Sequence, residues 1–346
     1  MQVEHLENKS VSAVFARDKN TACVINNEVW TFGSGAYGIL GHGDSLDQPN
    51  QSVPRKVISL RKDVKTVAVG SFHMLVLDVE GSIWSFGRNN AGQLGIGEGM
   101  TGSYGEPQPV QIAGETIVEI AAGRQHSLAL NIKGQVFSWG NNRDAQLGLG
   151  DKNVRKSPTI IEDLKDKNIV GIACGRDSSF ALTKEGEVYS WGRDDFGQLA
   201  HGRSQRFVSK PRFVASLENE VITSIHMGEF HGVAVTNDGR LFSWGKNQCG
   251  QVGNGNRNNV SMPIQIEALE TKTIIAAAAG SGHTAAITQD GQLWMFGSGR
   301  SGELGRGSET ESNAAYRTHP VQVPFGKNVK ISSIALGAEH CVAILE

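Results

Sequence analysis

An aromatic residue followed by glycine recurs six times along this chain, at Phe32-Gly33, Phe86-Gly87, Trp139-Gly140, Trp191-Gly192, Trp244-Gly245 and Phe296-Gly297, with successive spacings of 54, 53, 52, 53 and 52. A fixed period of this size marks a repeat architecture, in which each unit buries its apolar face only by stacking on its neighbours. A second mark lies about 16 residues upstream of each pair. It reads Gly-x-x-His at Gly70/His73, Gly123/His126, Gly228/His231 and Gly280/His283, with Ser178 replacing the His after Gly175. In the first unit Ala16 and Lys19 are read as taking both places, and a last copy, Gly337/His340, has no aromatic-Gly pair after it.

One period reads as four short strands. The first ends in small residues before the Gly, as in Ile120-Ala-Ala-Gly123, which suits the crowded inner edge of a radial array. The second follows the His with apolar alternation, as in Ser127-Leu-Ala-Leu130, and turns through pairs such as Lys133-Gly134 or Asp238-Gly239. The third is aromatic-rich, as in Val136-Phe-Ser-Trp-Gly140, and a Gly-Gln-Leu-Gly-like loop follows it. A proline at Pro109, Pro211, Pro263 or Pro320 is expected to open the fourth strand, at an outer edge where its missing N–H is not needed. Four antiparallel strands per unit around an axis make the blade of an all-β propeller, so residues 1–346 are read as one domain.

The chain ends bear on the blade number. Residues 2–11 align with 265–274, sharing Gln, Glu, Leu, Glu and Lys, so the chain is expected to begin with a fourth strand and to end with a first and a second. On that basis the expectation is seven blades, the seventh closed by both termini and burying edges that would otherwise stay open. A six-bladed ring with one end displaced is the alternative.

Composition narrows the function classes. Lys plus Arg number 33 against 35 Asp plus Glu, with no block of one sign, so nucleic acid is a poor partner for it. The 4 cysteines stand singly with no Cys-x-x-Cys spacing, which argues against a zinc site and a disulfide framework and fits a reducing compartment. No secretory or transit signal opens the sequence, and its longest apolar run, 274–279, is too short to cross a membrane. An intracellular protein of the cytoplasm or nucleus, monomeric and without a cofactor, is the expectation.

His126-Ser-Leu-Ala-Leu, Val136-Phe-Ser-Trp-Gly-Asn-Asn and Gln146-Leu-Gly-Leu-Gly resemble the repeat of the regulator of chromosome condensation family, over essentially the whole chain. The resemblance implies a propeller. Its members include exchange factors for the nuclear GTPase Ran, a plant ultraviolet-B photoreceptor, scaffolds and ubiquitin-ligase modules, so fold alone does not select among activities. For the exchange factors, Asp177 sits where the resemblance implies an acidic contact residue, and His283 occupies a repeat His of the kind implicated in the same face. Arg124, however, stands where the Ran factor carries an acid, and 141–148 holds no inserted wedge. The photoreceptor uses clustered loop tryptophans, whereas all 6 Trp here lie in third strands.

Other motifs are read as structural. Gly33-Ser-Gly-Ala-Tyr-Gly38 and Gly297-Ser-Gly-Arg-Ser-Gly302 match a dinucleotide-binding fingerprint but precede no helix that could face a pyrophosphate. The histidines, one per unit, are spread around a ring rather than gathered on a metal. No catalytic set stands out, so covalent chemistry is not expected.

The variable residues between Gly and His are expected on one face near the axis: Arg17 and Asp18, Ser71 and Phe72, Arg124 and Gln125, Arg176 and Asp177, Glu229 and Phe230, Ser281 and Gly282, Ala338 and Glu339. Phe72 and Phe230 read either as interface anchors or as inward packing. Longer connections at 97–107 (Met100, Tyr104) and 307–320 (Glu309, Glu311, Tyr316, Arg317) form a second candidate surface. The chain is therefore expected to bind a protein, as an exchange factor or other regulator of a small GTPase, or else as an adaptor without exchange activity. Phe72, Arg124, Arg176, Asp177, Glu229, Phe230, His283 and Glu339 are its candidate contact residues.

Overall fold

The computed structural model describes residues 6, 9–43, 50–202, 205–305, 315–326 and 329–346. Its strands are β1 (Val11–Arg17), β2 (Asn20–Ile25), β3 (Glu28–Gly33) and β4 (Gln51–Lys56) in blade 1, and β5 (Val64–Val69), β6 (His73–Asp78), β7 (Ile83–Arg88) and β8 (Ser103–Val110) in blade 2. Blade 3 holds β9 (Ile117–Ala122), β10 (His126–Asn131), β11 (Val136–Gly140) and β12 (Arg155–Ile160). Blade 4 holds β13 (Ile169–Cys174), β14 (Ser178–Thr183), β15 (Val188–Arg193) and β16 (Phe207–Phe213). Blade 5 holds β17 (Ile222–Met227), β18 (His231–Thr236), β19 (Leu241–Gly245) and β20 (Val260–Gln265). Blade 6 holds β21 (Ile274–Ala279), β22 (His283–Thr288), β23 (Leu293–Ser298) and β24 (Tyr316–Gln322), and a terminal sheet follows with β25 (Ile331–Leu336) and β26 (Cys341–Leu345). Among the described residues no helix is long and apolar enough to cross a membrane.

The blade count corrects the sequence expectation. Six sheets have four strands, and the seventh four-stranded blade closed by both termini is not found: β25 and β26 form a two-stranded sheet. Residues 1–5, 7 and 8, where the extra outer strand was expected, lie outside the described residues, and Val11 already opens the inner strand of blade 1. The terminal sheet nevertheless fills the gap between blades 6 and 1. Its β25 packs on β21 and β1, and Leu6, Val11 and Trp30 share an apolar cluster with Ala335, Val342 and Ile344.

Within each blade the second strand is buried along its whole length, because apolar faces cover it on both sides. The prolines fall inside the fourth strands rather than opening them. Pro54, Pro107, Pro158, Pro211, Pro263 and Pro320 lie where the pairing with the third strand shifts, between partners such as Ser190↔Arg212 and Gly192↔Val208. A residue without an N–H costs least at such a break in an edge ladder.

Blades are joined by a repeated polar node. In blade 2 the carbonyl of Gln93 accepts from two groups of blade 3, Ser127 Oγ at 2.9 Å and Trp139 Nε1 at 2.9 Å. Because the Ser127 hydroxyl proton is committed there, His73 Nε2, 2.8 Å from Ser127 Oγ, must be the donor in its own bond. The same arrangement links His126 with Ser179 at 3.0 Å, and His231 with Thr284 at 2.9 Å. The Gly-x-x-His spacing has a direct cause: the imidazole folds back over the glycine, so a Cβ at Gly123 would stand 2.1 Å from His126 Cε1. Between blades 1 and 2, 4 and 5, and 6 and the terminal sheet the bond is missing, since Asn20 faces Met74, Ser178 faces Gly232 and His283 faces Cys341; the Ser178 hydroxyl and His283 Nε2 are without partners.

The first unit is offset by one residue from its sequence reading. Asn26 and Asn27 make a two-residue hairpin turn with φ of 51° and 62°, where the other blades use a longer turn. Asn20, paired with Gly33, therefore takes the His position in place of Lys19, and Arg17 takes the Gly position in place of Ala16. The pair on the face is then Asp18 and Lys19. With Asn20 replacing the imidazole, a side chain is tolerated at position 17.

Two outcomes are expected. Burial pushes His73, His126 and His231 down to about 3, so these rings are neutral in the fold while the unfolded chain takes up protons below its ordinary value of 6.5. Their contribution is complete above pH 6.5 and is lost as pH falls toward 3, by about 1.4 kcal/mol per pH unit for each ring. Urea midpoints of His126→Asn should show about 1–3 kcal/mol less stability at pH 7 but a shallower loss toward pH 5; parallel pH dependences would contradict this. Thr21 Oγ1 meets His340 Nε2 at 2.9 Å and Ala338 N–H donates to Asp18 O at 2.7 Å, closing the ring. Thr21→Val should cost about 1–2 kcal/mol and accelerate hydrogen exchange first in β25 and β26.

Candidate protein-docking face

The first variable residue of each Gly-x-x-His copy rings the mouth of the central channel, where backbone bonds run from sector to sector. Ser71 N–H donates to Gly123 O at 3.2 Å, Arg124 N–H to Arg176 O at 2.9 Å, Arg176 N–H to Glu229 O at 3.1 Å and Glu229 N–H to Gly280 O at 3.2 Å. These bonds fix the backbone and leave the side chains to set the chemistry. The mouth opens into a depression of about 300 Å³ lined by Asp18, Asn20, Tyr37, Phe72, Arg124, Arg176 and Glu229, among others.

Two aromatic pairs stand on this face. Phe72 meets Tyr37 of blade 1 edge-on, with centroids 6.0 Å apart, and Phe230 meets Phe196 of blade 4 edge-on at 5.1 Å. Each pair is bracketed by cations. Arg88 lies 4.8 Å from the Tyr37 ring and Arg124 5.7 Å from Phe72, while Arg176 and Lys246 each lie 5.2 Å from Phe230. Both phenylalanines are half-buried, so they neither stand free nor fold wholly inward. The pairs sit at the blade 1–2 and 4–5 boundaries, two of the three that lack the imidazole–hydroxyl bond.

Between them, at the blade 3–4 boundary, lies a charged cluster. Asp177 is 5% exposed and is approached by Arg176 Nε at 3.8 Å, Arg193 Nη1 at 3.9 Å and Gln146 Nε2 at 3.5 Å. Burial, and then the neighbouring Asp144 carboxylate, raise the Asp177 carboxyl above its usual range against the pull of Arg124, Arg176 and Arg193. Arg176 Nη1 also binds Glu229 Oε2 at 3.1 Å, and Arg193 binds Asp195.

The structure thus brings Phe72, Arg124, Arg176, Asp177, Glu229 and Phe230 together. Of the other two candidates, Glu339 is exposed beside Ala338, which lines the same depression, whereas His283 has no exposed surface, which removes it from any docking contact. Tyr37, Asp144 and Phe196 were missed, although all lie four residues after the Gly of an aromatic-Gly pair and meet the second variable residue of the next blade. Arg88 and Lys246 directly follow that Gly.

In both fingerprint-like loops the amide after the first glycine is committed inside the fold: Ser34 N–H donates to Lys19 O and Ser298 N–H to Gly282 O, and Gly299 N–H donates to Ala315 O. Burial pushes the Cys23 and Cys174 thiols up to about 12, and all four cysteines are free. No group of three or more His, Cys, Asp or Glu side chains among the described residues is placed to hold a metal. Of the second candidate surface, Tyr104 hydroxyl meets Met100 Sδ at 3.7 Å and Tyr316 lies under Arg257 and Arg300, but Glu309 and Glu311 fall outside the described residues.

Comparison with known proteins places this geometry in a family. A family model described as RCC1-like domain matches residues 28–346. The chain is 33% identical to the ultraviolet-B receptor UVR8 of Arabidopsis thaliana over 287 residues, 83% of this chain and 64% of that protein. It is 32% identical to the E3 ubiquitin-protein ligase HERC2 of Homo sapiens over 328 residues, 93% of this chain but 7% of that protein. Among solved structures, human WBSCR16 superposes with a TM-score of 0.88 at 26% identity, covering 100% of this chain and 89% of that one. Prp20p from Saccharomyces cerevisiae, described with its binding properties to Gsp1p and histones, gives 0.85 at 26% identity, covering 98% and 83%. Nearly the whole length of the sequence and the ring it folds into agree on one assignment: the chain belongs to the RCC1-like, or regulator of chromosome condensation, family.

Proposed function

We propose that this propeller is a non-catalytic interaction module whose face around the channel mouth docks a protein. The observation that carries this reading is the pair of half-buried, edge-stacked aromatic contacts, each bracketed by cations, on either side of an open depression. Large rigid aromatics with arginines beside them supply binding energy at little cost in side-chain entropy, and a charged surround fixes orientation. The ring beneath keeps them in place before a partner arrives.

The class of partner we propose is a small GTPase, bound in its nucleotide-free state, with the propeller acting as exchange factor or regulator. The likeness to Prp20p, described with its binding to Gsp1p, supports this. One observation favours an adaptor without exchange activity instead: the 141–148 loop is a tight turn with no inserted segment, closed by Ala145 N–H on Asn142 O at 3.0 Å and Leu147 N–H on Asn142 Oδ1 at 3.0 Å. An intracellular setting, in cytoplasm or nucleus, is part of the proposal and is supported by four unpaired cysteines.

Affinity capture from a panel of purified small GTPases, nucleotide-stripped and nucleotide-loaded, tests the reading. A GTPase retained only when stripped, and whose nucleotide release the propeller accelerates, is the expected result. Phe72→Ala or Phe230→Ala should weaken that capture by about tenfold or more. Retention with no acceleration selects the adaptor, and capture unaffected by both substitutions removes the face from the interaction.

A further inference from the structure

We propose that the channel mouth is a receptor for an acidic side chain, aspartate or glutamate, presented by the docked protein, with Arg124 on its rim and the charge of Arg17 buried beneath it. This rests on the docking reading above and adds to it the chemistry at the centre of the contact.

Arg17 is the anomaly that leads here. It stands where the other sectors have the glycine of Gly-x-x-His, and its side chain crosses the channel to blades 3 and 4. Nη1 donates to Ala122 O at 3.3 Å and Cys174 O at 3.0 Å, while Nε and Nη2 are buried with no partner. A guanidinium cannot shed its charge by losing a proton. Removing it from water without a counter-charge costs several kcal/mol, and among the described residues no carboxylate comes within ion-pair distance of it.

The acids of the mouth do not supply that counter-charge. Glu229 is held by Arg176 at 3.1 Å, and Asp18, which lines the same depression, forms no ion pair with Arg17 or Arg124. The Arg124 side chain makes no hydrogen bond or ion pair among the described residues; it lies 5.7 Å from the Phe72 ring and attracts the Asp177 carboxyl only from beyond ion-pair distance. One guanidinium on the rim of the opening and one buried beneath it are thus left without an ion-pair partner among the described residues.

A second observation distinguishes a peptide from a free anion. Asn20, 3% exposed, lines the same depression, and its Oδ1 is a buried acceptor with no donor. An oxyanion would set its own lone pairs against that carbonyl. A peptide residue meets both demands, with its carboxylate on Arg124 above the buried charge of Arg17 and an N–H on Asn20 Oδ1, while Tyr37 and Phe72 wall the depression for a flanking side chain.

Isothermal titration of the whole propeller at low ionic strength, with a hexaglutamate peptide, a hexaglutamine peptide and inorganic phosphate, tests the proposal. Hexaglutamate should bind in preference to both others. Arg17→Gln and Arg124→Gln should each weaken it about tenfold, and Arg124, on the rim, gives an answer even where the Arg17 variant fails to fold. No binding of hexaglutamate, equal binding to wild type and the Arg124→Gln variant, or tighter binding of phosphate than of the peptide overturns the assignment. If Phe72→Ala weakens capture of the protein partner and Arg124→Gln does not, docking on this face stands and the acidic-residue receptor falls.

Discussion

Neighbouring sheets in a propeller share no ladder of hydrogen bonds, so their alignment depends on whatever polar contacts the packed faces allow. Here that contact is a buried carbonyl in the loop after the third strand of blades 2, 3, 4 and 5. At blades 2 and 3 it gathers a serine hydroxyl and an indole N–H from the next sheet, and the hydroxyl in turn receives an imidazole N–H from the sheet the carbonyl belongs to. Four groups from two blades are satisfied together, in an interior where any one left unpaired costs about 1–3 kcal/mol. At the 2–3 and 3–4 boundaries the node accounts for the glycine under the imidazole, the hydroxyl after the histidine position and the tryptophan before the second glycine.

Because those identities are imposed by close contact, they are legible without coordinates. The strand order of six blades, the structural role of the histidines and the gathering of Phe72, Arg124, Arg176, Asp177, Glu229 and Phe230 on one face all follow from the period. What escaped it was set by local chain length or by pairing between units. The Asn26-Asn27 turn shortens blade 1 by one residue, so counting back from Phe32-Gly33 lands on Ala16 and Lys19 rather than Arg17 and Asn20. The prolines mark a break within the fourth strand, which a count of residues cannot tell from its start. The last two strands remain a two-stranded sheet, since the similarity of 2–11 to 265–274 carries no guarantee of pairing.

The same division explains where individuality resides. The positions that hold blade to blade are buried and repeat their residue types, whereas those between Gly and His have a fixed backbone and free chemistry. One boundary therefore carries two carboxylates, Asp144 and Asp177, and others carry aromatic pairs. Arg17 depends on this too, since only a blade whose histidine has become Asn20 has room for a side chain in that place.

The imidazole–hydroxyl links do not run all the way round. They tie blades 2, 3 and 4 into one arc, blades 5 and 6 into another, and the terminal sheet to blade 1. Three joints are left between the arcs, and at two of them the outermost cover is a pair of rings, Tyr37 on Phe72 and Phe196 on Phe230. A molecule seated on those rings would work as a clasp over the looser joints, so that its affinity and the cohesion of the circle become a single thermodynamic quantity, each raised by the other.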